Sequence, residues 1–191
     1  MAAFSLLDLV FAMGLAATIG SMAIPQTLSS LDEVRTVAAA RHVSNQLQRA
    51  RTEAIARGTA TALRVTRLPS GYGFQLHVDG NRNGVLSADI LAGVDQPIDA
   101  FEQLHDRFAG VEFGALLALP SVDPTGTPPG TDPIRVGASD IATFTPLGTS
   151  TSGSLYILGR NGTQLVVRIY GQTGRTRVLR FQRGSAQWMP L

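Results

Sequence analysis

The chain has 191 residues and a formal net charge of +2; it contains no cysteine, and every one of its 16 basic residues is arginine. Without lysine there is no Walker-type nucleotide site, Schiff-base chemistry or lysine general base, and without cysteine there is no disulfide, thiolate nucleophile or zinc–thiolate centre. The charge is uneven: net +3 over residues 1–69, −7 over 70–140, and +6 over 141–191, where six arginines face no acid; such a basic end is a hint of a polyanionic partner or of an arginine-biased solvated surface.

Residues 4–24 read FSLLDLVFAMGLAATIGSMAI, an apolar run with one charge, Asp8, followed by Pro25. A helix of that length spans roughly 30 Å, the hydrocarbon thickness of a bilayer. A secretory signal peptide would begin with basic residues and carry a shorter apolar run; a plain anchor leaves Asp8 unexplained; a buried core helix would need the rest of the chain to wrap it. An acid in such a run is costly in lipid and marks a functional site.

After Pro25, Leu28, Leu31, Val34, Ala38, Val43, Leu47, Ala50 and Ala54 recur at three/four spacing, one stripe of an amphipathic helix. Gly58 is the expected stop. The expectation is one helix from about 4 to 57, bent at Pro25.

Strands follow. Residues 61–65 and 72–78 alternate apolar and polar, with Pro69-Ser70-Gly71 as a turn between them. A polar loop covers 79–89. A short helix is expected within 97–108, with Phe101, Leu104 and Phe108 on one face, then a strand at 110–113 and a long exposed loop at 118–140. The end reads as a meander of strands at 141–145, 154–158, 164–170 and 175–182, with Asn161-Gly162 and Gln172-Thr173-Gly174 as hairpin turns.

Three groups of residues carry candidate chemistry. Gly174-Arg175-Thr176-Arg177 places Arg175 and Arg177 on one strand face about 7 Å apart, with Arg180 and Arg183 near in sequence; they suit DNA phosphates, or a solvated or subunit-contacting cluster. Tyr170, Phe181 and Trp188 could stack bases or belong to the core. Asp79, Asn81, Asn83 and Asp89, around a glycine at the sixth position, resemble a calcium loop, but its twelfth position is Ile90; an Asx-rich turn is the competing reading. His42, His77 and His105 have no local ligand spacing, and no enzyme constellation is present; no catalytic residue and no other cofactor are expected.

Phe4, Asp8 and Pro25, the amphipathic half-helix and the β-rich head together resemble the type IV pilin class. The run FTPLGTSTSGSLYIL, followed by a strand and then QTGRTRV, resembles the head of the GspH/FimT family, minor pseudopilins of type II secretion and minor pilins of type IV pili. The resemblance implies a pilin-like α+β fold: a leader remnant (1–3), a transmembrane and filament-core helix (4–25), its amphipathic continuation (26–58) and a periplasmic head (59–191). It implies cleavage by a prepilin peptidase between Ala3 and Phe4, methylation of the new amine, single-pass residence in the bacterial inner membrane, and extraction by an inner-membrane platform into a periplasmic or surface filament of sister pilins. Asp8 would pair with a neighbour's N-terminal amine. The expected function is a structural subunit, at or near the tip, that initiates the filament; the alternative is a DNA-binding minor pilin for DNA uptake. Two positions depart from the pattern: Asp8 stands where glutamate is usual, and Ala3 where glycine is usual.

Overall fold

In the computed structural model, residues 5–123 and 126–191 are described, the side chains of 19–29 excepted. The expected processing pair Ala3 and Phe4, the Pro25 bend and the apolar position Leu28 lie outside what is described.

The chain opens with α1 (Leu6–Arg57), 52 residues in one helix, on the order of 80 Å long. Ser5 caps its start: the Leu7 amide donates to Ser5 Oγ at 3.2 Å and the Ser5 amide donates to Asp8 Oδ2 at 3.2 Å, a reciprocal capping box. Gly58, at φ +66°, ends it in the left-handed region, where a glycine carries no Cβ penalty. The helix has two regimes. Leu6, Leu7, Val10, Phe11 and Met13 are exposed. Ala39, Ala40, Val43, Leu47, Ala50 and Ala54 are fully buried. Among the described residues, no helix is long and apolar enough to cross a membrane.

Two antiparallel sheets clasp the buried half of α1. In chain order the elements are β1 (Thr61–Leu68), β2 (Gly71–Val78), α2 (Ser87–Leu91), β3 (Gln96–Pro97), β4 (Glu102–Gln103), α3 (Leu104–Arg107), β5 (Val111–Phe113), β6 (Ile134–Val136), β7 (Ile141–Phe144), β8 (Gly153–Gly159), β9 (Gln164–Tyr170), β10 (Arg175–Gln182) and β11 (Gln187–Pro190). One sheet has the order β3-β2-β1-β7, with β4 also on β2; the other has β11-β10-β9-β8-β5, with β6 also on β8. Leu63, Val65, Phe74, Leu76 and Phe144 from the first sheet meet Leu155, Ile157, Leu165, Val167 and Ile169 from the second around the helix. Burying each of these side chains contributes roughly 1.5–3 kcal/mol. The fold is α+β and pilin-like.

Several expectations are corrected. The helical stripe drifts: Leu31 and Val34 are exposed, and the buried face there is Asp32 and Thr36. The reason is a backbone approach. A Cβ on Gly159 would stand 2.2 Å from Thr36 Oγ1, the Asn161 amide donates to Asp32 Oδ2 at 2.9 Å, and Thr36 Oγ1 donates to the Asp32 carbonyl at 2.7 Å. The β8–β9 hairpin thus presents polar backbone to the helix, which polar side chains satisfy better than a leucine would. The short helix at 97–108 shrinks to α3, with Leu104 buried and Phe101 exposed. The 79–89 loop runs on into α2, the 118–140 loop contains β6, and β11 follows the expected last strand. β7 leaves the expected meander: Ala62↔Thr143 and Leu63↔Ala142 pair it with β1 in the other sheet, which puts Ala142 and Phe144 on the helix side.

Candidate functional site

The face of the second sheet turned away from α1 carries the exposed Arg175 and Arg177. Its geometry begins at the turn between β9 and β10, where Gly174 has φ +60° and its amide donates to the Tyr170 carbonyl at 2.8 Å. A Cβ at Gly174 would stand 2.3 Å from the Gly148 carbonyl oxygen and 3.0 Å from Arg51 Cδ. Gln48 Nε2 donates to the Gly174 carbonyl at 3.2 Å and to Thr176 Oγ1 at 3.1 Å, and Ser44 Oγ lies 2.6 Å from Thr176 Oγ1. Thr176 therefore faces the helix. Period-two alternation turns Arg175 and Arg177 to the opposite face, where both are exposed.

The expected four-arginine cluster divides. Arg180 shares the parity of Thr176 and pairs with Glu33 of α1 on the helix side. Arg183 lies beyond the strand and donates from Nη2 to the Gly162 carbonyl at 2.9 Å. Two arginines not singled out in the sequence take their place. Arg177 is directly opposite Arg168 on β9, Arg168 opposite Ser154 on β8, and Ser154 opposite Arg135 on β6. Directly opposed residues share a face, and adjacent strands are about 4.8 Å apart, so Arg177, Arg168 and Arg135 stand in one row across four strands. Arg175 opposes Tyr170 in the next row, and the Arg168 guanidinium lies 5.8 Å from the Tyr170 ring centroid. A sequence signal existed in the alternation of Arg168 and Tyr170 along β9, but Arg135 joins only through the register of β6 on β8.

The other two arginines of the row are engaged. Arg168 Nη2 lies 2.5 Å from Asp123 Oδ2, Nη1 donates to Ser154 Oγ at 3.4 Å, and Nε is buried without a partner. Arg135 donates to the Pro128 carbonyl at 2.9 Å and to Thr127 Oγ1 at 2.6 Å. Of the three aromatics, Tyr170 is exposed beside the row. Phe181 and Trp188 pack on each other at 5.3 Å between centroids, in a cluster with Tyr156, Val166 and Leu179, and Trp188 Nε1 donates to the Pro120 carbonyl at 3.1 Å.

The other candidate groups do different work. Asp79 accepts from the backbone amides of Asn81, Arg82 and Gly84 at 3.1, 2.6 and 2.8 Å, while the Asn81 and Asn83 side-chain Nδ2 groups donate to Asp89 Oδ2 at 3.2 and 2.9 Å. The four residues of the calcium reading are brought together, with side-chain oxygens of Asp79, Asn81 and Asp89 bonded to the loop's own donors, those of Asp79 and Asn81 in Asx-turn fashion. Among the described residues, no group of three or more His, Asp or Glu is placed to hold a metal ion. The histidines stand apart: His42 Nε2 is 2.7 Å from Glu102, His105 Nε2 is 3.2 Å from Asp106, and His77 Nδ1 is 3.2 Å from the Asp95 carbonyl. Burial lowers the His77 pKa, reinforced by Arg64 and opposed by the Asp95 carbonyl and the carboxylates of Asp99 and Asp95. At the far end of α1, Asp8 closes its own helix cap, amid exposed Leu7, Leu9 and Phe11.

A family model described as type II transport protein GspH matches residues 39–174, more than half of the chain. No curated protein and no solved structure matches it.

Proposed function

The chain belongs to the GspH family, and on that premise of a pseudopilin-type role we propose that it is a minor, structural subunit of a type IV-class filament, in a secretion pseudopilus or a type IV pilus, at or near the tip. The observation that carries this reading is the division of α1. One face of its distal half is buried under two sheets, whereas Leu6 and Leu7 at its start are 81 % and 77 % exposed, apolar surface that needs lipid or sister helices to cover it. In this proposal residues 4–25 anchor the subunit in the inner membrane with the head in the periplasm. A prepilin peptidase releases Phe4, and a membrane platform hands the helix to the filament. Asp8 then exchanges its own cap for a neighbour's amine, a pairing that offsets two desolvated charges and fixes register.

The test is Asp8→Ala in cells that assemble the filament. The expected result is unchanged membrane-fraction abundance with loss of the subunit from sheared filaments; normal incorporation would refute the assigned role of Asp8.

A second reading is favoured by the outward aim of Arg175 and Arg177: the same subunit binds DNA through phosphate contacts that carry no sequence preference. Full-length chain in neutral detergent should then bind duplex DNA with steep salt dependence. Replacing both arginines with glutamine should abolish that binding, and retained binding would remove this reading.

A further inference from the structure

Asp123 stands against the arginine row, on a face that also carries the exposed Glu112 opposite Leu158 of β8. Like charges directly opposite on neighbouring strands repel, yet Arg177 and Arg168 are opposite each other. The Asp123 carboxylate meets Arg168 at 2.5 Å and supplies the missing negative charge. The pair is one carboxylate, its side chain 39 % exposed, on a guanidinium whose side chain is 16 % exposed. The pair closes a small pocket of about 200 Å³ lined by Asp123, Thr127, Arg135, Ser154, Tyr156 and Arg168. Arg168 is under-used there, since its Nε has no partner and its contact to Ser154 is long. Arg175 and Arg177, by contrast, meet no carboxylate among the described residues. Charge on this face is therefore free at the Arg177 end of the row and neutralised at Arg168 in its middle, while Arg135 at the other end is held by the Pro128 carbonyl and the Thr127 hydroxyl.

Resting on the DNA reading above, we infer that Asp123 is a built-in competitor for the phosphodiester backbone: it occupies Arg168 when DNA is absent and yields it when DNA is bound, so that Arg168 extends the surface offered by Arg175 and Arg177. A phosphate oxygen and a carboxylate oxygen make the same charge-assisted contact to a guanidinium, and the exchange costs only an ion pair that water already reaches. The outer arginines capture the duplex, and Arg168 adds a further phosphate contact only as Asp123 leaves. Asp123 thereby sets affinity and salt dependence without touching the motif that binds first.

The test is a double-substitution cycle on the full-length chain in neutral detergent, with a short labelled duplex of mixed sequence as the probe. Asp123→Asn should tighten binding about three- to tenfold at low salt and steepen the logarithmic salt slope by about one. Asp106→Asn, an equal charge change on α3, is the control for net charge and should do much less. Arg168→Gln should weaken binding several-fold, and in that background Asp123→Asn should have no effect. Equal effects of Asp123→Asn and Asp106→Asn, or an undiminished effect of Asp123→Asn in the Arg168→Gln chain, would overturn the inference while leaving the DNA reading standing. No binding by any variant, Asp123→Asn included, would overturn both.

Discussion

Ser44 on α1 and Thr176 on β10 bring their hydroxyls to 2.6 Å across the seam between helix and sheet. That contact, joined by Gln48 at 3.1 Å from the same threonine oxygen, decides which way the Gly-Arg-Thr-Arg run faces. One polar side chain turned inward sends its two arginine neighbours outward.

Thr176→Val should therefore destabilise the protein by about 1–2 kcal/mol, because it removes the Ser44 contact and leaves Gln48 with the Gly174 carbonyl alone. Arg175→Gln with Arg177→Gln should change stability by no more than about 0.5 kcal/mol, as expected for exposed positions. Denaturant unfolding separates the two cases: the threonine belongs to the fold and the arginines to the surface.

Gly174→Ala should cost about 2 kcal/mol or more. The residue sits at φ +60°, and the new Cβ would stand 2.3 Å from the Gly148 carbonyl oxygen, so strain and steric overlap add. A lowered thermal midpoint is the expected readout.

Asp32→Ala should cost about 1–2 kcal/mol by leaving the Asn161 amide unbonded, since that amide donates to Asp32 Oδ2 at 2.9 Å. The loss should be local as well as global. Hydrogen exchange at Asn161 should quicken more than exchange in the β1–β2 ladder, as the β8–β9 hairpin loosens from α1.

His77 predicts a pH dependence. Burial holds its pKa below the ordinary 6.5 in the folded chain, so the unfolded chain takes up the proton first. The stability this contributes is complete above about pH 6.5 and is lost as pH falls through the folded value. Asp99 is shifted upward by burial from 3.8. Its contribution is therefore greatest in acid and is lost as pH rises through its folded value. Urea midpoints should fall from pH 7 to pH 5 in the wild type and fall less in His77→Gln.

Local pattern made much of the architecture legible. The β1–β2 hairpin followed from strict alternation around Pro69-Ser70-Gly71, the end of α1 from Gly58, and the order β8-β9-β10 from Asn161-Gly162 and Gln172-Thr173-Gly174, because turn chemistry and period-two burial act over a few residues. Contacts between distant segments were not legible. Apolar spacing assigned Leu31 and Val34 to the core, but the backbone of a hairpin about 130 residues away required Asp32 and Thr36 there instead. Nearness in sequence grouped Arg180 and Arg183 with Arg175 and Arg177, whereas strand parity turns Arg180 to the helix and cross-strand register brings in Arg168 and Arg135. Residue type and spacing thus set the chemistry available, guanidinium groups without lysine or cysteine and an acid near the head of an apolar helix. Which of those groups share a face is a property of strand register and helix seating, and only the assembled sheets fix those.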